Sequence, residues 1–200
     1  TTRDWDLAGA ISTGAGRRRS EMVSREDLFH RATRPTIRRK KGAIIALYQA
    51  PPANTHVLCV DEMGPFSGRV FPCHRWSPAG IAPTFTPTYG QLSQTWVFGA
   101  FEPATGQALT YTTSARTQQQ FIAFLDQLVN AWTSGQLILI LDNLSVHKTL
   151  TVRLWALAHP QVAFLFQPTY SPWLNLIEPW WKTLKSLALV GRRFDTVETL

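Results

Sequence analysis

The stretch QLILILDN, residues 136–143, is a continuous apolar run that ends in an aspartate, Asp142. Such a run is typical of a strand that is buried on both faces of a parallel sheet. Apolar residues at helical spacing precede it over 117–132, and a second helix, which Pro160 ends, follows it over 148–160. A buried strand between two helices indicates an α/β domain.

The segments on either side of residues 117–160 extend this alternation of strands and helices. We predict strands over 55–64 and 161–168, a hairpin over 94–113, and helices over 34–49 and 177–190, the last beginning at Glu178 or Pro179. Residues 1–33 are expected to be irregular or partly helical, and residues 65–93, rich in Pro, Gly, Ser and Thr, to form an irregular excursion. A hairpin followed by alternating strands and helices predicts a mixed sheet flanked by helices, that is, a three-layer α/β domain.

The composition fits a folded intracellular domain. The 200 residues are 44% apolar and include eight Trp, which favours a globule with a sizeable core. No apolar run reaches eighteen residues, the first twenty residues lack the order of a signal peptide, and two cysteines make no disulfide framework. We therefore expect a cytoplasmic protein that does not enter a membrane.

The positive charge is concentrated in one segment. Residues 17–41 hold ten Lys/Arg and three acids, which equals the whole net charge of +7. Such a block could be a solvated face or a flexible arm, but contact with nucleic-acid phosphates is favoured because clustered cations gain by releasing counterions. The candidates for this contact are Arg38, Arg39, Lys40 and Lys41.

Two aspartates end predicted strands. Asp61 ends the run HVLCVD, and Asp142 ends LILILD. Each aspartate alone could simply form a turn. If the two strands are parallel neighbours, however, both carboxylates emerge at one sheet edge, where ligands of α/β proteins bind. Two like charges so close favour a cation between them, and oxygen-only ligation suits Mg²⁺ or Mn²⁺.

A third acid stands in QPTYSPWLNLIEPWW, residues 167–181. Glu178 is the only acid between Asp142 and Asp195. Pro179 fits the first turn of a helix, so Glu178 is expected where the helix begins, with Lys182 and Lys185 near the same face. Asn175 and Glu178 could instead form a capping box, although Pro179 disfavours that arrangement.

Three motifs taken together point to a family. The segments VDEMG (60–64), ILDNLSVHK (140–148) and SPWLNLIEPWW (171–181) closely resemble the catalytic domain of DDE transposases, nearest to the mariner-like bacterial insertion-sequence group, also called DDE superfamily endonucleases. Thirty-five residues separate Asp142 from Glu178 (178 − 142 − 1), which is the spacing class of that family. The resemblance covers roughly residues 34–195.

The resemblance implies an RNase H-like fold and a phosphoryl-transfer site. Asp61, Asp142 and Glu178 would be the catalytic residues and would bind two Mg²⁺ or Mn²⁺ ions, one activating a water or a DNA 3′-hydroxyl and one stabilising the leaving oxygen. Glu62 is not counted as a ligand, because strand alternation points it to the other face. Residues expected beside the site or on the DNA are Asn143, His147, Lys148, Asn175, Lys182 and Lys185.

The implied function is metal-dependent DNA cleavage and strand transfer by a bacterial cytoplasmic protein. DNA is the expected partner, and a homodimer is one form that the active complex could take. A plain RNase H-like nuclease or resolvase would share the three acids, and a non-catalytic remnant could still bind nucleic acid through residues 17–41.

The resemblance also sets the expected domain organisation. We expect a basic segment and linker over 1–50 and the catalytic domain over 51–200, truncated at both ends. Members of the family carry an N-terminal helix-turn-helix region, and this chain stops at FDTVETL, within what reads as another helix.

Overall fold

The structure, a computed structural model, describes residues 34–67, 76–81, 94–192 and 194. The predictions made for residues 1–33, for most of 65–93 and for 195–200 lie outside the described residues. The four helices of the described part are α1 (Arg34–Gln49), α2 (Gln118–Ala131), α3 (Leu150–Ala158) and α4 (Ile177–Ala188). Its five strands are β1 (Thr55–Ser67), β2 (Gln94–Phe101), β3 (Ala108–Thr113), β4 (Gln136–Leu141) and β5 (Val162–Phe166).

The strands form one mixed sheet in the order β3-β2-β1-β4-β5. β2 pairs antiparallel with both β1 and β3. β4 pairs parallel with both β1 and β5. The continuous apolar run that precedes Asp142 is β4, whose last five residues are buried in the centre of the parallel half. The predicted mixed sheet with a parallel region is confirmed.

Helices cover both faces of the sheet, as the pattern of apolar residues requires. On one face, α2 and α3 pack through Phe121, Phe124 and Val152 onto alternate strand residues such as Leu58 and Leu139. On the other face, α1 packs on Ile138 and Ile140 of β4, and α4 packs on Cys59 and Met63 of β1. The domain therefore has three layers, with the sheet in the middle.

Some predicted boundaries need correction. β1 does not end near Gly64 but continues to Ser67, with a shift in its pairing to β2 between Met63 and Phe66. The helix predicted from residue 148 begins at Leu150, because a 3₁₀ turn occupies Ser145–Lys148 and the Thr149 hydroxyl caps the helix by accepting the Val152 N–H. The final helix ends at Ala188 rather than at residue 190.

A glycine allows α4 to lie directly on the sheet. Gly99 of β2 pairs with Asp61 of β1. A Cβ atom at Gly99 would overlap the ring of Trp181, which is buried against the sheet. This close approach fixes the helix that carries Glu178 beside the strand that carries Asp61. None of the helices in the described ranges is both long and apolar enough to cross a bilayer.

Candidate active site

The two aspartates lie at the same edge of the sheet. Cys59 of β1 pairs with Ile140 of the parallel neighbour β4, and Asp61 and Asp142 each follow two residues later. The predicted adjacency of these strands is confirmed. Asp61 has the same parity along β1 as Cys59 and Met63, which pack on α4, so its side chain is on the α4 face.

The charge state of Asp61 reflects crowding of carboxylates. The pKa of Asp61 is raised from 3.8 to about 7, mainly by burial and in addition by the negative charges of Glu62, Glu178 and Asp142, while a hydrogen bond from the Glu62 backbone opposes the rise. The charges of the other two predicted acids, Asp142 and Glu178, therefore act on Asp61. Among the described residues, no three His, Cys, Asp or Glu form a ready metal-binding group.

Glu178 is exposed in the first turn of α4, where the sequence placed it. The alternative of a capping box with Asn175 is wrong. The Asn175 side chain is buried, donates from Nδ2 to the Val60 carbonyl at 3.1 Å and accepts the Ile177 N–H at 3.4 Å. Because Val60 immediately precedes Asp61, Asn175 connects the start of α4 to β1, and its side chain lies inside the domain rather than on its surface.

The side chains of Asn143 and Lys148 form hydrogen bonds that stabilise the segment after β4. The Asn143 amide donates to the Gln167 carbonyl beyond β5 and accepts from Lys148 Nζ at 2.6 Å. Lys148 Nζ also lies 4.9 Å above the centroid of the Phe166 ring. Both side chains remain exposed. Lys148 thus presents a positive charge close to Asp142.

His147 is buried beneath this edge and cannot contact a phosphate, which corrects one of its two predicted roles. Its Nε2 lies 2.7 Å from Glu62 Oε1, and its Nδ1 lies 3.1 Å from Asp142 Oδ1. Burial alone would lower the pKa of His147, but the neighbouring carboxylates of Asp142 and Glu62 raise it to about 9. The ring is therefore an imidazolium held between two carboxylates.

The same contacts act on Asp142. Burial raises its pKa, but bonding to His147 and to the Leu144 N–H, 2.9 Å from Oδ1, outweighs burial and lowers the pKa overall. At one sheet edge, Asp142 is thus held ionised while Asp61 resists ionisation.

The contact between Glu62 and His147 was not predicted from the sequence. Alternation sends Glu62 to the face opposite Asp61, as expected, but that face is where the turn after β4 brings back His147. Two signals were present: an acid next to Asp61, and a histidine five residues after Asp142. Nothing local in the sequence indicates that these two positions meet.

The basic candidates differ in exposure. Arg38, Lys182 and Lys185 are exposed, and Arg39 and Lys41 are half-buried, with Lys41 Nζ 4.7 Å above the Trp173 ring centroid. Lys40 is only 4% exposed. The prediction that Lys40 contacts DNA is wrong in this structure, because a buried ammonium group cannot reach a phosphate. Residues 17–33 of the basic segment lie outside the described residues.

Comparisons with known proteins agree with this architecture. An uncharacterised 39 kDa protein of insertion element IS630 from Shigella sonnei is 31% identical over 98 residues, which are 48% of this chain and 29% of that protein. The Mos1 transposase paired-end complex with the left transposon end superposes with a TM-score of 0.60 at 19% identity, covering 92% of this chain and 55% of that one.

A second solved structure, the Mos1 transposase catalytic domain with raltegravir and Mg, has a TM-score of 0.52 at 16% identity, over 84% of this chain and 80% of that one. The chain thus spans less than a third of the insertion-element protein and about half of the Mos1 chain in the paired-end complex. The shared fold is the RNase H-like fold expected from the sequence. The family model described as DDE superfamily endonuclease matches residues 56–200, and the chain belongs to that family.

Proposed function

We propose that this chain is the catalytic domain of a transposase and performs metal-dependent DNA cleavage and strand transfer. The observation that carries the proposal is that Asp61 of β1 and Asp142 after β4 each follow the last pair of these two parallel strands by two residues, with Glu178 in the first turn of a helix packed against β1. The negative charges of Asp142 and Glu178 both act on Asp61.

The donor atoms suit a hard divalent cation. Asp61, Asp142 and Glu178 offer only carboxylate oxygens, which are the ligands of Mg²⁺ and Mn²⁺. Asp142 Oδ1 is occupied by the Leu144 N–H and faces His147, which leaves Oδ2 for an ion. Glu178 is exposed, so its side chain is free to turn towards the aspartates. Two bound ions would supply Lewis-acid activation of the attacking oxygen and neutralise charge on the leaving oxygen.

The protein would position the DNA through its exposed cations. Lys182 and Lys185 lie one and two turns beyond Glu178 on α4, and Lys148 stands beside Asp142. These ammonium groups would hold phosphates on either side of the reacting one, while Arg38 extends the positive surface on α1. The similarity to the Mos1 paired-end complex supports the further proposal that two copies of this chain act together.

The experiment is Mn²⁺-dependent nicking of supercoiled DNA by the wild-type chain and by Asp61→Asn and Asp142→Asn. Strand transfer is measured in parallel with a pre-cut DNA end, which separates a transposase from a plain nuclease. The matched control is Asp126→Asn, an exposed aspartate on α2 whose bond from Trp155 Nε1 an asparagine oxygen can still accept. Wild-type nicking that both site variants retain would contradict the proposal, as would a wild-type chain that never nicks.

A further inference from the structure

Beneath the catalytic edge lies a chain of three ionisable side chains. The Glu62 side chain is 1% exposed and the His147 side chain 0%, whereas that of Asp142 is 41% exposed. Glu62 Oε1 contacts His147 Nε2 at 2.7 Å, and His147 Nδ1 contacts Asp142 Oδ1 at 3.1 Å. The chain therefore runs from the interior of the domain to its surface and ends on a proposed metal ligand.

Stability alone gives little reason for this arrangement. A buried ion pair loses hydration that its mutual attraction barely repays, and replacing it by apolar side chains of similar size is often neutral or stabilising. The surroundings are apolar, since the Phe121 ring centroid is 4.4 Å from that of His147. Glu62 Oε2 is also buried and accepts no hydrogen bond from the described residues. A core made only for stability would not leave that oxygen without a donor.

The two contacts of His147 restrict different motions. The Nε2 contact with Glu62 and the packing against Phe121 hold the ring in one orientation. Nδ1 then faces Asp142 Oδ1 at 3.1 Å, although it is not aligned for a well-formed hydrogen bond, so this contact limits where the Asp142 carboxylate can lie. The Leu144 N–H holds the same oxygen from the backbone. Together they leave Asp142 with Oδ1 occupied and Oδ2 available.

We propose that Glu62 and His147 are positioning residues that fix the Asp142 carboxylate in the orientation needed to bind a divalent ion. Glu62 itself is not a ligand, because it is buried on the opposite face of the sheet from Asp61 and its bonded oxygen is held by His147. The inference rests on the proposed function, since it assigns to Asp142 a metal that the proposal requires. Partners that orient a metal ligand typically change metal affinity by about 10- to 100-fold when they are removed.

The test measures Mn²⁺ affinity directly, by calorimetry or by the spin-resonance signal of free Mn²⁺, on the whole chain without DNA. Glu62→Ala removes the group that orients His147, and we expect it to weaken Mn²⁺ binding by about tenfold or more. Glu62→Gln keeps an oxygen that can accept from Nε2–H, so it should recover most of that loss. His147→Phe keeps a ring against Phe121 but removes both polar contacts, and should match Glu62→Ala.

The chain offers a matched control for a purely structural effect. His56, half-buried at the start of β1, and the buried Glu102 form a second histidine–carboxylate pair, 2.8 Å apart. Glu102→Gln should lower the melting temperature yet leave Mn²⁺ affinity within about twofold, because that pair contacts no proposed ligand. If His147→Phe does not fold, the two Glu62 variants still decide the matter.

The outcomes separate this inference from the function on which it rests. Asp142→Asn should weaken Mn²⁺ binding more than any positioning variant. If Asp142→Asn leaves Mn²⁺ binding unchanged, the proposed metal site is wrong. If Asp142→Asn weakens binding but Glu62→Ala lowers only the melting temperature, the metal site stands and the positioning role is overturned. Equal losses in Glu62→Gln and Glu62→Ala would also overturn it, because orientation of the ring would then not be what matters.

Discussion

Two histidine–carboxylate pairs include a residue of β1, one at the start of the strand and one midway along it, and they are built differently. Near the start of the strand, Glu102 accepts from His56 at 2.8 Å through Oε1, and from Thr105 at 2.7 Å and Trp132 at 3.3 Å through Oε2. Midway along the strand, Glu62 has one oxygen bonded to His147, and the same histidine also contacts Asp142. The first pair satisfies its own polar groups, whereas the second leaves an oxygen unsatisfied and reaches outward.

The electrostatics follow the same division. Burial raises the pKa of Glu102, but the hydrogen bonds from Thr105, His56 and Trp132 together lower it below its usual value. Beside the second pair, burial and the neighbouring carboxylates raise the pKa of Asp61 instead. Ionised Glu102, in the region around the start of β1 that we call the closed end, therefore stabilises the fold. Ionised Asp61, in the region around the proposed site that we call the open end, is instead held against burial and repulsion. Functional sites are where such unfavourable arrangements are expected.

The largest expected effect of a single change is at the open end. Glu178→Gln should reduce Mn²⁺-dependent nicking by about a hundredfold or more, because removing an anionic metal ligand costs several kcal/mol at the transition state. The melting temperature should be nearly unchanged, since Glu178 is exposed. The assay is nicking of supercoiled DNA beside a thermal melt, and nicking like that of the wild type would remove Glu178 from the site.

The substitution Asp61→Asn tests whether burial and the neighbouring carboxylates destabilise the ionised Asp61 side chain in the folded protein. Its folded pKa of about 7 lies above the unfolded value of 3.8, so the stability that it contributes is complete below pH 3.8 and is lost as the pH rises through 7. In the absence of metal, Asp61→Asn should therefore match the wild type in acid and be more stable at pH 8. The gain should be about 1–3 kcal/mol, below the roughly 4 kcal/mol that the full shift implies.

The measurement is denaturant unfolding in a chelator at several pH values. Added Mn²⁺ should then stabilise the wild type more than Asp61→Asn, since only the wild type keeps the ligand. If Asp61→Asn were less stable than the wild type at pH 8, burial and the neighbouring carboxylates would not destabilise the ionised Asp61 side chain.

The closed end should behave in the opposite way. Glu102→Gln places an amide NH₂ or a weaker acceptor against donors, and we expect a loss of about 1–2 kcal/mol at pH 7. Because the folded pKa of Glu102 lies below the unfolded 4.5, its contribution is present above pH 4.5 and is lost as the pH falls through the folded value. The difference between variant and wild type should therefore shrink in acid. Unfolding curves at pH 7 and pH 3 check the sign.

The elements of the fold could be predicted because each has a local signature. The unbroken apolar run of β4 indicates burial on both faces, and the helical spacing over 118–131 gives the buried face of α2. The adjacency of Asp61 and Asp142 follows from the rule that parallel strands end at one edge. β1 was predicted too short because Gly64 and Pro65 read as a break, whereas the strand continues through a shift in pairing.

The remaining features depend on contacts between distant segments. Glu62 and His147 are 85 residues apart and meet only because the turn after β4 folds beneath β1. The burial of Lys40 depends on which side of α1 meets the rest of the domain, which a run of four basic residues does not reveal. Asn175 binds a carbonyl 115 residues away. Such pairings require the assembled sheet.

The smallest expected effect concerns the surface around the open end. Lys182 and Lys185 are exposed on α4, on the face of the sheet that carries Asp61. If both contact phosphates, Lys182→Gln with Lys185→Gln should reduce the slope of log K against log salt by about two units, at roughly 0.9 per contact. Affinity should fall modestly at low salt, because other cations remain. The matched control is Arg153→Gln on α3, an exposed cation on the opposite layer, which should leave the slope unchanged. Fluorescence anisotropy of a labelled duplex over a salt series gives both slopes. An equal reduction in the two proteins would show that DNA association reflects net charge alone, and would remove the distinction between the open end and the rest of the surface.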